Sequence, residues 1–175
     1  IVERDVASAR QARARVEADL ERSAARGRTV PDADTLTAGT DPAAFAGAGL
    51  VVEAVPEDRA LKLDALSRIE GVIDDAAVVA SNTSSISIDA LAASLRRPAR
   101  FLGLHFFNPV PASALVEVVA GAQTARGVIE RATQWVDAIG KTAVVVRDAP
   151  GFASSRLGVA LGLEAIRMLE DGVAS

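Results

Sequence analysis

The chain has no cysteine and no tyrosine, and its 175 residues include a single histidine, a single tryptophan and a single methionine. Without cysteine there is no disulfide, no thiolate nucleophile and no sulfur-ligated metal, and the composition fits a reducing compartment. Aromatic residues make up only 3%, so a core has to be assembled from Ala, Val, Leu and Ile, which the 50% apolar content supplies. Positive charge is not in excess: 19 Lys and Arg against 23 Asp and Glu leave a formal charge of −4. That is the wrong sign for general nucleic-acid binding. No apolar run approaches the roughly 20 residues that a membrane-spanning helix requires, and no signal peptide is recognisable. The expected location is the cytoplasm. The first residue is Ile1, in what reads as the middle of a strand, so an N-terminal segment is expected to precede it.

What is present is an alternation of buried runs and amphipathic stretches. Val6, Ala9, Ala12, Val16, Leu20 and Ala24 recur at steps of three and four, a stripe on a helix that Asp5 caps and Gly27 ends. Arg10, Arg13, Glu17, Glu21 and Arg22 occupy its solvated faces. Ile1-Val2-Glu3 reads as the end of a buried strand, Leu36-Thr37-Ala38 as a short strand, and Pro42 to Phe45 as a turn or two of helix. Leu50 to Val55 is a strand interrupted by Glu53 and stopped by Pro56. A helix from about Asp58 to Ile73 turns Leu61, Ala65, Leu66 and Ile69 inward. Val78-Val79-Ala80 is the next strand, followed by the polar cluster Ser81 to Ser85 and a short helix near Asp89 to Ser94. Beyond these come strands at 101–104 and 115–119, a helix over Thr124 to Ile139, and a strand over Thr142 to Val146.

This order predicts an α/β fold: a Rossmann-like, largely parallel, doubly wound sheet covered on both faces, incomplete at its N-terminus. Crevices in such sheets open at the carboxyl ends of strands. The acidic, Ser/Asn-rich and histidine segments all fall there. Pro150-Gly151 divides residues 1–149 from 150–175, whose single helix, about Ala153 to Glu170, is apolar almost all round. It requires burial on more than one side, against a second chain or a helical domain.

The lone histidine, His105, lies in FLGLHFFNPVP (101–111), where an apolar strand breaks into a Pro-rich turn. Its intrinsic pKa makes it the side chain best suited to move a proton near neutral pH. Glu117 sits among Leu115, Val116, Val118 and Val119 on the next strand, where a carboxylate is costly without a partner. Facing inward, it would bond one imidazole nitrogen, fix the tautomer and leave the other nitrogen free for a proton; the alternative is an outward Glu on an edge strand. Glu3, between a strand and a helix, has the place of a carboxylate that accepts ribose hydroxyls and favours NAD over NADP, or is a surface carboxylate. Glu57 and Lys62 pass from strand to helix, as nucleotide contacts or as a solvated pair. The run Ser81 to Ser85 exceeds what helix capping alone needs.

Together these residues resemble the L-3-hydroxyacyl-CoA dehydrogenases, including the 3-hydroxybutyryl-CoA dehydrogenases. The stretches that carry the resemblance are VVEAVPED (51–58), ASNTSSISI (80–88), FLGLHFFNPVP (101–111), LVEVV (115–119), IGKTAVVVRDAPGF (139–152) and LEAIRMLEDG (163–172). The resemblance implies that His105 is the general base and Glu117 the carboxylate that orients it, with Ser84 touching both substrate and cofactor. It implies that Glu3, Glu57, Lys62 and Asn108 contact NAD, and that Arg26 meets coenzyme A phosphates. Residues 1–149 correspond to the NAD-binding domain and 150–175 to the start of a helical dimerisation domain. The implied partners are an acyl-CoA substrate and a second subunit, with no nucleic acid, membrane or metal. Ser155 stands where the family usually has Asn, a shorter group that changes any bond to the substrate. The phosphate-binding strand and loop, and most of the helical domain, lie outside the chain, so it is not expected to turn over alone. Two alternatives stay open: a related dehydrogenase of small hydroxy acids, such as the gulonate dehydrogenases, and a non-catalytic homologue like the lens λ-crystallins.

Overall fold

Strands rich in Val, Leu and Phe pair edge to edge in the larger of two units in the chain. The computed structural model describes residues 1–174, which cluster into two units that meet in sequence between Ala46 and Gly47. In the first, helix α1 (Val6–Ala25) begins where Asp5 accepts a hydrogen bond from Ser8 N and ends before Gly27, at φ 73°. Of its apolar stripe Ala9 and Ala12 are buried, whereas Val6 is exposed. The expected strands at Ile1–Glu3 and 36–38 are reduced to one parallel bridge, Val2 to Gly39. Glu3 N donates to Gly39 O at 2.9 Å and Gly39 N to Ile1 O at 3.1 Å. Two bonds on one edge extend these segments without making a ladder, and Ile1 is exposed rather than buried.

The second unit holds one sheet of five strands in the order β1 (Leu50–Glu53), β2 (Val78–Ser81), β3 (Phe101–Phe106), β4 (Leu115–Ala120) and β5 (Thr142–Arg147). All neighbours are parallel except β3 and β4. Those two are joined by the Pro-containing turn, short enough only for an antiparallel pair. Helices α2 (Arg59–Glu70), α3 (Ile88–Ala92) and α4 (Arg126–Ala138) pack on the sheet, and α5 (Ser154–Glu170) follows it. The largely parallel Rossmann-like sheet is therefore as expected.

Strand alternation sorts the core into two faces. Val78, Ala80, Leu102, Leu104, Val116 and Val118 face Val128, Ala132 and Val136 of α4. On the opposite face α2 and α3 cover Val51, Val79, Phe101 and Val119, and Gly103 is where Ile88 of α3 comes closest. His105 and Glu117 share this second face with Phe101, Gly103 and Val119, one register step beyond the covered core. Coverage is incomplete at the margins: Val144 and Val145 of β5 are exposed, as is Val52.

Helix α2 is rotated from its expected setting. Lys62, Leu66 and Ile69 are buried, while Leu61 is 50% exposed. One residue is 100° of helix, and the orientation that brings Lys62 to the carboxylate of Glu53 turns Leu61 outward. Helix α5 has no buried residue at all among those described.

A Cβ at Gly103 would sit 2.9 Å from both Ile88 Cδ1 and Val119 Cβ. Gly103→Ala in the intact protein is therefore expected to destabilise by about 1–3 kcal/mol through overpacking. Urea unfolding checks this: a lower midpoint at unchanged slope is expected.

Candidate active site

Antiparallel register places His105 directly opposite Glu117, on the same face, and their side chains meet at 2.7 Å between Nδ1 and Oε2. Glu117 is almost fully buried, a position that a carboxylate tolerates only with its lone pairs occupied. They are. Ala153 N and Ser154 N donate to Oε1 at 3.0 and 2.9 Å, and Ser154 Oγ donates to Oε2 at 2.9 Å. Burial pushes the Glu117 carboxyl upward, but the His105 bond and the donors from Ser154 and Ala153 outweigh it and hold the group below the usual carboxylate range. Glu117 is therefore ionised near neutral pH, and an ionised carboxylate can only accept. Nδ1 then carries the hydrogen, which leaves Nε2 as the basic nitrogen.

The chain reaches Glu117 from the far side through a sharp turn. Gly151 and Phe152 both have positive φ, at 75° and 48°. A left-handed Phe costs about 1–2 kcal/mol, offset here by burying its ring and by bringing two free amides of the α5 N-terminus onto the carboxylate. The ring of Phe152 lies 5.8 Å from that of His105, and Phe107 lies 4.5 Å away on a tilted plane. Among the described residues no side-chain nitrogen or oxygen is both fully enclosed and unbonded. Nε2 of His105 bonds no described residue, so it is reached from the surface.

A second polar group forms at the carboxyl ends of β1 and β2. Glu53 and Lys62 make a buried ion pair at 2.9 Å, and Lys62 Nζ also donates to Val55 O at 3.0 Å and lies 3.3 Å from Glu57 Oε2. Ser81 Oγ donates to Glu53 Oε2 at 2.6 Å. Glu57 Oε1 gathers the polar run: Thr83 Oγ1 donates to it at 2.5 Å, Ser84 N at 3.0 Å, and Ser85 through both N and Oγ at 2.9 Å. Partial burial raises the Glu57 carboxyl, but the Thr83 and Ser85 bonds and the Lys62 charge bring it down to about 2. The Ser84 loop is tied to the histidine strand through Asn82, whose Oδ1 accepts Phe106 N at 2.8 Å.

The remaining candidates lie on other segments of the chain. Asn108 is exposed on a turn pinned by Lys141, whose Nζ donates to Val110 O and Ser113 O, both at 2.6 Å. Ser155 is half-buried beside Ser154, and its hydroxyl bonds no described residue. In the first unit, Arg26 is the exposed C-cap of α1 and Glu3 is half-buried beside the Val2 bridge. The sequence assigns no individual role to Glu53, Asn82, Thr83 or Ser154. The lone carboxylate in the 50–55 strand was the signal for Glu53, and the length of the Ser81–Ser85 run was the signal for Thr83. Nothing distinguished Ser154 from its neighbour.

The donor set fits a dinucleotide's ribose end. Ser84 Oγ bonds no described residue and Glu57 Oε2 has Lys62 as its one polar partner among the described residues, so a hydroxyl acceptor and a hydroxyl donor stay available at the mouth of the sheet.

Because the folded Glu57 carboxyl lies near 2 against an ordinary value of 4.5, its contribution to stability is complete above pH 4.5 and lost as pH falls towards 2. Glu57→Gln is expected to lower the melting temperature at pH 7, with the gap to the wild type closing between pH 4.5 and 2. A gap that stayed constant through that window would contradict the assignment.

Residues 1–149 match the family model described as 3-hydroxyacyl-CoA dehydrogenase, NAD binding domain. Over 135 residues the chain is 42% identical to the "Probable 3-hydroxybutyryl-CoA dehydrogenase" of Deinococcus radiodurans, covering 77% of this chain and 49% of that protein. The chain thus spans about half the length of this curated relative. Among solved structures, the (S)-3-hydroxybutyryl-CoA dehydrogenase from Ralstonia eutropha superposes with a TM-score of 0.92 at 34% identity, covering 99% of this chain and 63% of that one. The 3-hydroxybutyryl-CoA dehydrogenase from Escherichia coli K12 gives 0.90 at 35% identity, covering 99% and 38%. The chain therefore belongs to the 3-hydroxyacyl-CoA dehydrogenase family.

Proposed function

We propose that the intact protein oxidises an L-3-hydroxyacyl-CoA reversibly to the 3-ketoacyl-CoA, with His105 as general base. One observation carries the reading: Glu117 holds Nδ1 at 2.7 Å while Nε2 has no partner among the described residues and an opening to the surface. Nε2 accepts the proton of the substrate's 3-hydroxyl as the carbonyl forms. Bound NAD⁺ supplies the acceptor for the hydride that leaves C3. The imidazolium that results is stabilised by the Glu117 carboxylate, and in the reverse direction it returns the proton to the alkoxide oxygen. Ser84, fixed by Glu57 through its backbone, offers its hydroxyl to substrate and cofactor. Glu57, Asn108 and Glu3 contribute acceptors and donors for NAD, with Lys62 acting from inside as the counter-charge of Glu57. Arg26 meets a coenzyme A phosphate, and Ser155 bonds the substrate with a shorter reach than Asn.

Residues 150–175 begin a helical dimerisation domain in this reading. Support comes from α5, whose Leu157, Val159, Leu161, Leu163, Ile166 and Leu169 are all more than half exposed, an apolar surface that a stable protein covers. The expected assembly is a homodimer. A cytoplasmic location fits the absence of cysteine and of any helix long and apolar enough to cross a membrane among the described residues.

The test is NADH oxidation by the intact protein with acetoacetyl-CoA, a longer 3-ketoacyl-CoA and a free keto acid side by side. Turnover of the thioesters and not of the free acid is expected. His105→Gln should lower kcat by about 10²–10⁴-fold, the usual worth of a positioned base, at nearly unchanged NADH affinity. Near-normal turnover in that variant would remove His105 from the mechanism.

A further inference from the structure

We propose that Ser154 is a positioning residue for His105, acting through Glu117; this rests on the reading of His105 as the base. Ser154 bonds the carboxylate twice, on opposite oxygens: its N–H to Oε1 and its hydroxyl to Oε2, both at 2.9 Å. The hydroxyl therefore shares Oε2 with His105 Nδ1, which approaches that oxygen at 2.7 Å. Ala153 N completes the set at Oε1. Each carboxylate oxygen accepts about two hydrogen bonds, so both are filled and rotation of the carboxylate plane breaks bonds on each side at once.

Two consequences follow for the imidazole. The backbone amides anchor the carboxylate at Oε1, and the Ser154 hydroxyl adds a second anchor at Oε2, the oxygen that holds the ring. With bonds at both oxygens the carboxylate plane is held against rotation, and the ring with it. The same hydroxyl draws charge from Oε2, so the hydrogen stays on Nδ1 rather than passing to the carboxylate. Nε2 is thereby kept as the acceptor. Ser155, one residue along, bonds none of these groups.

Ser154→Ala and Ser154→Thr in the intact protein, assayed with acetoacetyl-CoA and NADH, separate this role from a structural one. Ser154→Ala is expected to lower kcat about three- to tenfold, the rate equivalent of one ordinary hydrogen bond, with the KM for NADH unchanged. Ser154→Thr, which keeps the hydroxyl, should restore kcat. The Nδ1 proton resonance of His105, identified by its loss in His105→Gln, should move downfield in Ser154→Ala as charge returns to Oε2, and return in Ser154→Thr. An unmoved resonance, or a loss of kcat that threonine does not restore, overturns the proposal. Absence of turnover in the wild type, or its persistence in His105→Gln, would instead defeat the assignment of the base, and the resonance needs no turnover to be read.

Discussion

A carboxylate cannot be left bare inside a protein, and the arrangement around His105 follows from Glu117 being buried in the middle of β4. Removing such a charge from water costs several kcal/mol, recovered only when donors of good geometry surround it. The sheet supplies one donor through its register, since β3 and β4 set His105 opposite Glu117. The others have to come from outside the sheet. They are the first amides of α5, where Ala153 as N-cap offers no side chain of its own. Glu117 thus acts as the cap of a helix that follows it by more than thirty residues in sequence. The left-handed Phe152 is what allows the chain to present those amides, and its ring at the same time closes one side of the imidazole. The geometry of the His105–Glu117 pair and the start of α5 are therefore one structural requirement.

The same solution appears a second time at the ends of β1 and β2. Glu53 is buried with Lys62 and Ser81, and the Lys62 charge reaches on to Glu57, which collects the hydroxyls and amides of 83–85. Breaking a buried pair of this kind leaves an uncompensated charge and typically costs about 3–5 kcal/mol. The pair is thus a firm base for a loop that is otherwise exposed at Ser84. Asn82 joins the two clusters, because its side chain accepts the amide of Phe106, the residue after His105. Loop and histidine strand are held in one frame through the backbone, without any direct bond between Ser84 and His105.

These arrangements were unequally legible in the sequence. Strands β1 to β5 and helices α1, α2, α4 and α5 follow hydrophobic runs and their spacing, and the runs end at residues with a local reason to end them, such as Pro56, Gly27 and Gly140. His105 and Glu117 were legible as a pair because each was anomalous in its own strand. The inward face of α2 was not. Periodicity assigns apolar residues to the interior, and it gave Leu61 the place that Lys62 holds, since the electrostatics of Glu53 lie on another element and leave no mark on the helix's own pattern. Ser154 was hidden for a related reason. Positions 154 and 155 differ by 100° around a helix, and which of two adjacent serines meets Glu117 depends on a turn with two left-handed residues that no pattern announces. The strands at 1–3 and 36–38 illustrate the converse: β-branched and apolar composition marks a segment that can pair, whereas the length of a ladder depends on its neighbours.

Helix α5 is where local and tertiary demands separate most clearly. Its N-terminus is fastened by Glu117, yet none of its described residues is buried. An isolated helix of this length gains little from its own hydrogen bonds, and its fastening to the sheet is at the first turn. Ser154 and Ala153 join its first turn to Glu117, and Glu117 joins it to the imidazole. The start of α5 and the orientation of His105 therefore depend on bonds that all converge on a single carboxylate.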